Sequence, residues 1–379
     1  MVKKYFPLIL LLGCFFFLPH FSHAANEQED QHHLISKKVE EEVQEEELEV
    51  GKMIIEHLVD SYEWHIAAIG ETHISIPLPV IIYHNGELHC FLSSKFHHGE
   101  SSYKGFRISS EGPTKGQIIK ILEEDFIKGD IIMKEGSMDI PYDFSITKNV
   151  LALFISCLLL LWVFLSVAKA YKRREGQAPK GLQSLLEPVI IFVRDDIAIS
   201  SIGEKKYRKY LPFLLTLFFF IVFNNLLGLI PFFPGGANVT GNIAVTMVLA
   251  LFTFVITTFS GNKNYWKHIV NAPGVPWWLK FPFPLMPLVE VMGVFIKPFV
   301  LMVRLFANIT AGHTVLLGFV SLIFIFGNIN IGVGLGVSVI SIVFMVFMTI
   351  LELLVAFIQA YVFTLLSALY FGMATEEHH

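Results

Sequence analysis

Hydrophobic positions dominate the second half of the chain in long runs that almost no charge interrupts. Asn149 to Ala168 is one uncharged run, long enough to cross a bilayer, and Lys169, Lys172, Arg173 and Arg174 follow it directly. Tyr210 to Asn262 also carries no charge. Pro231, Pro234, Gly235 and Gly236 break it into two spans, about 210–230 and 239–260. Between these regions Gly181 to Ser200 alternates apolar residues with Glu187, Arg194, Asp195 and Asp196, the pattern of an amphipathic helix lying on a membrane surface. The last two apolar segments, about 284–326 and 333–373, are each roughly 60 Å long as helices, twice a hydrocarbon core of roughly 30 Å. Ordinary tilt does not absorb that mismatch. Either each segment breaks into a span and an interfacial piece, or the two form a long, steeply tilted hairpin turning within Gly327 to Gly332.

The first half reads differently. Residues 1–24 have the form of a secretory signal: Lys3 and Lys4, an apolar stretch from Tyr5 to Leu18, and Ser22-His23-Ala24 as a cleavage site. Leu11-Leu12-Gly13-Cys14 offers a lipoprotein box as the alternative. Residues 25–50 form a polar, acidic tail with Glu dense between Glu40 and Glu49. Residues 51–144 have the composition of a small α+β domain. Lys52 to Trp64 is expected to be helical, with strands at Ile74 to Tyr83 and Leu88 to Leu92 around the turn His84-Asn85-Gly86. Export by the signal and the basic residues after the first span agree on orientation: the N-terminal domain outside, the C-terminus cytoplasmic.

A composition of 54% hydrophobic and 16% charged residues fits this reading, an all-α polytopic membrane protein of five helices with an exported α+β domain. The net charge of −5 argues against a nucleic-acid partner. Cys14, Cys90 and Cys157 have no metal spacing, and His57, His65, His73, His84, His89, His97 and His98 are scattered without one, so no metal or cofactor is expected. No glycine-rich phosphate loop with Lys-Ser/Thr is present, which excludes a nucleotide site of that kind.

The candidate chemistry lies in the last two spans. Apart from His313, Arg304 is the only potentially charged residue from Pro298 to Leu351. A guanidinium stays protonated, and placing it near a bilayer midplane costs roughly 2.5–3.5 kcal/mol even on insertion scales. Such a residue faces a bundle interior or a watery path and has a partner. Folding the two segments about residues 330–332 sets Arg304 opposite Gln359 and His313 opposite Glu352. His313 and Glu352 both titrate and can relay protons; Arg304 can only attract a carboxylate or repel a cation. Asn308 shares the helical face of Arg304, whereas His313 is turned about half a turn away.

The residues Arg304-Leu305-Phe306-Ala307-Asn308, Ala311-Gly312 and Gln359-Ala360-Tyr361-Val362-Phe363 resemble the subunit a family of F-type ATP synthases. The likeness extends to Gly203, Tyr210-Leu211-Pro212-Phe213, the stretch from Asn225 to Pro231, Glu290 and Lys297-Pro298, and covers about 145–378. It implies a stationary, non-catalytic, proton-conducting subunit of the bacterial inner membrane, with the c-ring, subunit b and the rest of the synthase as partners. Arg304 then matches the family's essential arginine facing the ring. Gln359 and Asn308 match its polar neighbours, and Glu290 and Asn225 match lining positions of two half-channels. Many bacterial members carry Glu at the position of His313 and His at that of Glu352, so the pair is kept but exchanged. The domain ahead of the first span is much larger than the family's usual N-terminus. A cation/proton antiporter working through Glu352 and His313 is the rival reading, but no inverted repeat runs through the five spans. A membrane-anchored sensor without transport leaves the intramembrane charges unexplained.

Overall fold

The computed structural model describes residues 60–69, 72–99, 101–109, 114–121, 140–230, 235–270 and 285–376. The expected signal, the acidic tail and most of the expected helix at 52–64 lie outside them. The last two residues of that helix, Glu63 and Trp64, belong instead to a strand. β1 (Glu63–Ile69) pairs antiparallel with β2 (Thr72–Pro77), a long-range pairing that overrides local helical spacing. The single strand expected from Ile74 to Tyr83 is divided at Leu78. Leu78 donates its N–H to Ser93 Oγ (3.0 Å) and accepts at its carbonyl from the Ser93 N–H (2.9 Å), which turns the chain out of the first sheet. β3 (Pro79–His84) and β4 (Glu87–Leu92) then form a hairpin. Its two-residue turn has Asn85 and Gly86 both at positive φ (48° and 86°), as a tight primed turn requires.

β5 (Phe106–Ile108) pairs with β6 (Ile118–Lys120), and β7 (Tyr142–Asp143) joins the free edge of β3. Val80, Ile82, Phe96, Phe106 and Ile118 form the small core. The described residues of this domain show its strands and a 3-10 segment, Ser93–Gly99.

The described spans of the membrane part are helices. α1 (Lys148–Arg173) is capped by Thr147; α2 (Leu182–Phe192) continues through a π-helical turn, Val193–Ile199, to Ile202. α3 (Tyr207–Leu229), α4 (Ile243–Ser260), α5 (Lys263–Val270), α6 (Leu285–Ile329) and α7 (Ile331–Thr375) complete the chain. Among the described residues five helices, α1, α3, α4, α6 and α7, are long and apolar enough to cross a membrane.

Neither long segment breaks. α6 and α7 are continuous helices of 45 residues each, and Asn330 alone separates them. Its N–H reaches Phe326 O (3.2 Å), its carbonyl accepts from Gly334 (2.8 Å), and its side chain caps Gly332 N (2.7 Å). The turn is therefore shorter than the expected stretch from Gly327 to Gly332. The glycines there serve close approach instead: a Cβ on Gly334 would stand 2.6 Å from Gly327 Cα. Phe319 stacks on Phe344 farther down, at 5.4 Å between ring centres, which fixes the register.

α3 is the hub. Leu214, Leu217, Phe218 and Ile221 are buried with Ala360, Phe363 and Phe371 of α7, Leu301 and Leu305 of α6, and Val193 and Ile197 of the π-turn. Lipid is as apolar as these side chains, so small residues and polar contacts hold such helices together. Thr253 and Ser367 hydroxyls meet at 3.2 Å, and Gly372 lies so close to the Ser201 carbonyl that a Cβ would collide with it.

Candidate functional site

The hairpin register brings His313 of α6 against Glu352 of α7, with Nδ1 3.7 Å from Oε1 and side chains only 18% and 10% exposed. That separation exceeds a direct hydrogen bond, so a small rotation or one water carries a proton between them. Gly312 makes room for the carboxylate: a Cβ there would stand 2.4 Å from Glu352 Oε1 and 2.9 Å from Cγ. Glu352 Oε2 is buried without a hydrogen-bond partner among the described residues. An unmade bond of this kind costs roughly 1–3 kcal/mol, a cost that functional groups retain and structural ones shed.

Three stretches far apart in sequence complete this cluster. Asn225 of α3 donates through Nδ2 to Ala356 O (3.2 Å), one turn along α7 from Glu352, and its Oδ1 accepts from Thr240 Oγ1 (2.6 Å). Gly228, a turn beyond Asn225, has His313 Nε2 and Ala237 O each 3.6 Å from the place a Cβ would occupy. Gln359 is buried on the same face of α7 as Glu352, Ala356 and Phe363.

Arg304 stands apart. It is exposed, with Ala307, Asn308 and Ala311 exposed beside it, while Leu301 and Leu305 hold the opposite face in the core. Among the described residues no hydrogen bond or salt bridge ends on Arg304. The expected partnership with Gln359 is not formed within the chain: one side chain is turned outward and the other is buried inward.

Glu290 lies at the other end of α6, roughly 20 Å from Arg304 along the helix, whereas His313 lies roughly 13 Å away in the opposite direction. It borders a cleft of about 230 Å³ with Tyr265, His268, Lys297 and Glu376. Burial, and then the nearby Glu290 carboxylate, raise the Tyr265 phenol above its ordinary value. The two residues expected as channel lining are thus separated: Asn225 belongs to the His313 cluster and Glu290 to this cleft. Lys297 also reaches over the Tyr370 ring, 5.5 Å from its centre. Thr240 had no sequence signal of its own, and Gly228 and Gly312 entered only as part of the family resemblance.

Beyond the hairpin, Arg194 forms a two-pronged pair with Asp195 (2.6 and 2.9 Å) on the π-turn, which holds that exposed carboxyl below its usual range. In the β domain His98 Nδ1 lies 2.7 Å from Glu63 Oε2, and the His84 and His89 rings pack on Phe106. Among the described residues no three His, Cys, Asp or Glu side chains cluster as metal ligands.

Comparison with known proteins separates the chain into two parts. A family model described as ATP synthase A chain matches residues 150–372, and one described as Domain of unknown function (DUF8433) matches residues 53–144. ATP synthase subunit a of Chloroherpeton thalassium is 42% identical over 245 residues, covering 62% of this chain and 69% of that protein. ATP synthase subunit a of Myxococcus xanthus is 43% identical over 250 residues, covering 64% and 77%. A second subunit a from Chlorobium luteolum is 40% identical over 277 residues, covering 66% and 77%.

Proposed function

The chain belongs to the ATP synthase A chain family, and from that footing we propose that it conducts protons through two half-channels against a rotating c-ring. It is a non-catalytic, proton-translocating subunit that crosses the membrane several times. Its partners are the c-ring, subunit b of the peripheral stalk, the remainder of the F-type synthase and the lipid bilayer of the bacterial inner membrane.

One observation carries the half-channel reading. Two polar clusters lie on opposite sides of an exposed arginine along α6, one at His313 and Glu352 near mid-helix and the other beside Glu290 near its start. With the N-terminal domain outside, protons arrive at Glu352 and His313, where an acid and an imidazole pass them on to a ring carboxylate. After rotation the carboxylate releases its proton toward the cleft beside Glu290. Arg304 cannot give up its own proton, so it cannot relay one. Its fixed charge favours the ionised carboxylate passing it and opposes a proton crossing directly from one cluster to the other. The face it presents, with Ala307, Asn308 and Ala311, is small enough for a second helix to approach closely.

Removing the chain tests the reading at the level of the complex. ATP hydrolysis by the soluble part is expected to persist, while ATP-driven acidification of inverted membrane vesicles disappears. Undiminished acidification without the chain would overturn the proposal.

A further inference from the structure

The β domain meets the membrane helices at one well-defined place. Asp60 Oδ1 accepts from the Asn149 N–H (3.0 Å), its Oδ2 accepts from Thr147 Oγ1 (2.7 Å), and the Ser61 carbonyl accepts from the Lys148 N–H (2.8 Å). The domain thereby satisfies orphan donors at the start of α1. Trp64, 2% exposed, packs with Ala152 of α1 and with Ala237 and Val239 of the segment before α4. Ala237 O in turn shares the open side of Gly228 with His313 Nε2. Neighbouring groups therefore lead from Asp60 by way of Trp64 and Ala237 to the side of Gly228 that His313 faces. Along this route, Asn149 Oδ1 and Asn238 Nδ2 are buried without hydrogen-bond partners among the described residues, in side chains more than nine-tenths buried. An ordered water is the usual partner of a buried amide group left open in this way. Lys148 lies within electrostatic reach of both Asp60 and His313.

We propose that this junction is the outer mouth of the proton path, and that Asp60 and Lys148 are positioning residues whose opposed charges set the proton supply to His313 and Glu352. The inference rests on the half-channel reading and gives the domain of unknown function a part in it. With both charges present the mouth is close to neutral. Removing the lysine charge leaves Asp60 to concentrate protons; removing the aspartate charge leaves Lys148 to repel them. The other titratable groups are Tyr62, Asp143 and the paired Glu63 and His98 of the β domain, His313 of α6 and Glu352 of α7; the adjoining part of α3 and residues 235–241 bring no charge. Tyr62 donates to Asp143 Oδ2, and burial followed by that carboxylate keeps its phenol well above the ordinary range, so it stays neutral.

The test uses the whole complex in membrane vesicles, with proton-driven ATP synthesis measured against pH on the domain side. Lys148→Met is expected to move the half-maximal pH upward by roughly 0.3–0.5 unit, and Asp60→Asn to move it downward by a similar amount. The double variant should return near the wild-type profile. Asparagine keeps an oxygen to accept from Asn149, so a purely structural role for Asp60 predicts no shift. Unmoved profiles, or shifts of the same sign in both variants, would overturn the inference. If Asp60→Asn fails to assemble, Lys148→Met decides alone: an upward shift supports the mouth, and no shift or a downward one rejects it. Glu352→Gln in the same vesicles reports on the reading beneath it. Flux unaffected by that change would remove the half-channel itself, whereas blocked flux with unmoved Asp60 and Lys148 profiles removes only the mouth.

Discussion

Arg304→Ala is expected to abolish ATP-driven proton pumping while leaving the complex assembled. Losing one partner of a desolvated charge pair costs roughly 2–5 kcal/mol, and each ~1.36 kcal/mol is a factor of ten in rate. A fall of at least about 30-fold follows, measured as acidification of inverted vesicles by fluorescence quenching. Assembly should survive because Arg304 makes no hydrogen bond or salt bridge to the described residues, and Leu301 and Leu305 carry the packing of that turn. The fixed charge is also the barrier between the clusters, so vesicles stripped of the soluble part should leak protons faster through the variant. Pumping at the wild-type rate would contradict the role given to Arg304.

Removing either member of the His313–Glu352 pair is the second large effect. Glu352→Gln and His313→Ala should each slow coupled proton flow by about tenfold or more. The double variant should be scarcely worse than the poorer single one, because a relay broken once is already broken. Exchanging the two residues, as His313→Glu with Glu352→His, should be milder than either deletion, since the contact at 3.7 Å keeps one acid and one imidazole. Groups in contact show coupling of roughly 0.5–3 kcal/mol in such cycles, whereas independent sites add. Fully additive losses would show that the two groups act separately.

Much of this architecture was legible along the chain because lipid demands long apolar runs. The five spans, the amphipathic segment and the pairing of His313 with Glu352 all follow from hydropathy and a single turn position. The excess length of the last two segments was visible too, but not its resolution. Whether such a helix breaks depends on what covers it, and here α4, α5 and α7 support α6 along its course. The turn also misled: six residues holding two Gly and two Asn looked like a loop, yet glycine inside a helix can serve backbone-to-backbone packing, and Asn330 alone suffices to reverse the chain.

The candidate site was less complete in sequence than the fold. Asn225 and Glu290 are both polar residues in apolar surroundings, and nothing local says that one joins Glu352 while the other borders a cleft at the far end of α6. Thr240 was hidden because it lies in a connection and its partner, Asn225, is on α3. Gly312 and Gly228 act through the side chains they lack. In the β domain Asn85-Gly86 announced its hairpin plainly, but Glu63 and Trp64 read as helix until the long-range pairing with β2 was seen.

The central claim is that the face carrying Arg304 runs against the c-ring. Asn308 is the place to test it, being exposed on that face a single turn from Arg304, whereas Leu305 is buried. With Asn308→Cys in native membranes and a cysteine placed along the outer helix of the ring subunit, the account predicts a disulfide crosslink to that subunit that stops ATP-driven rotation and is reversed by reductant. A crosslink formed only within this chain, or to a second copy of it, would contradict the account.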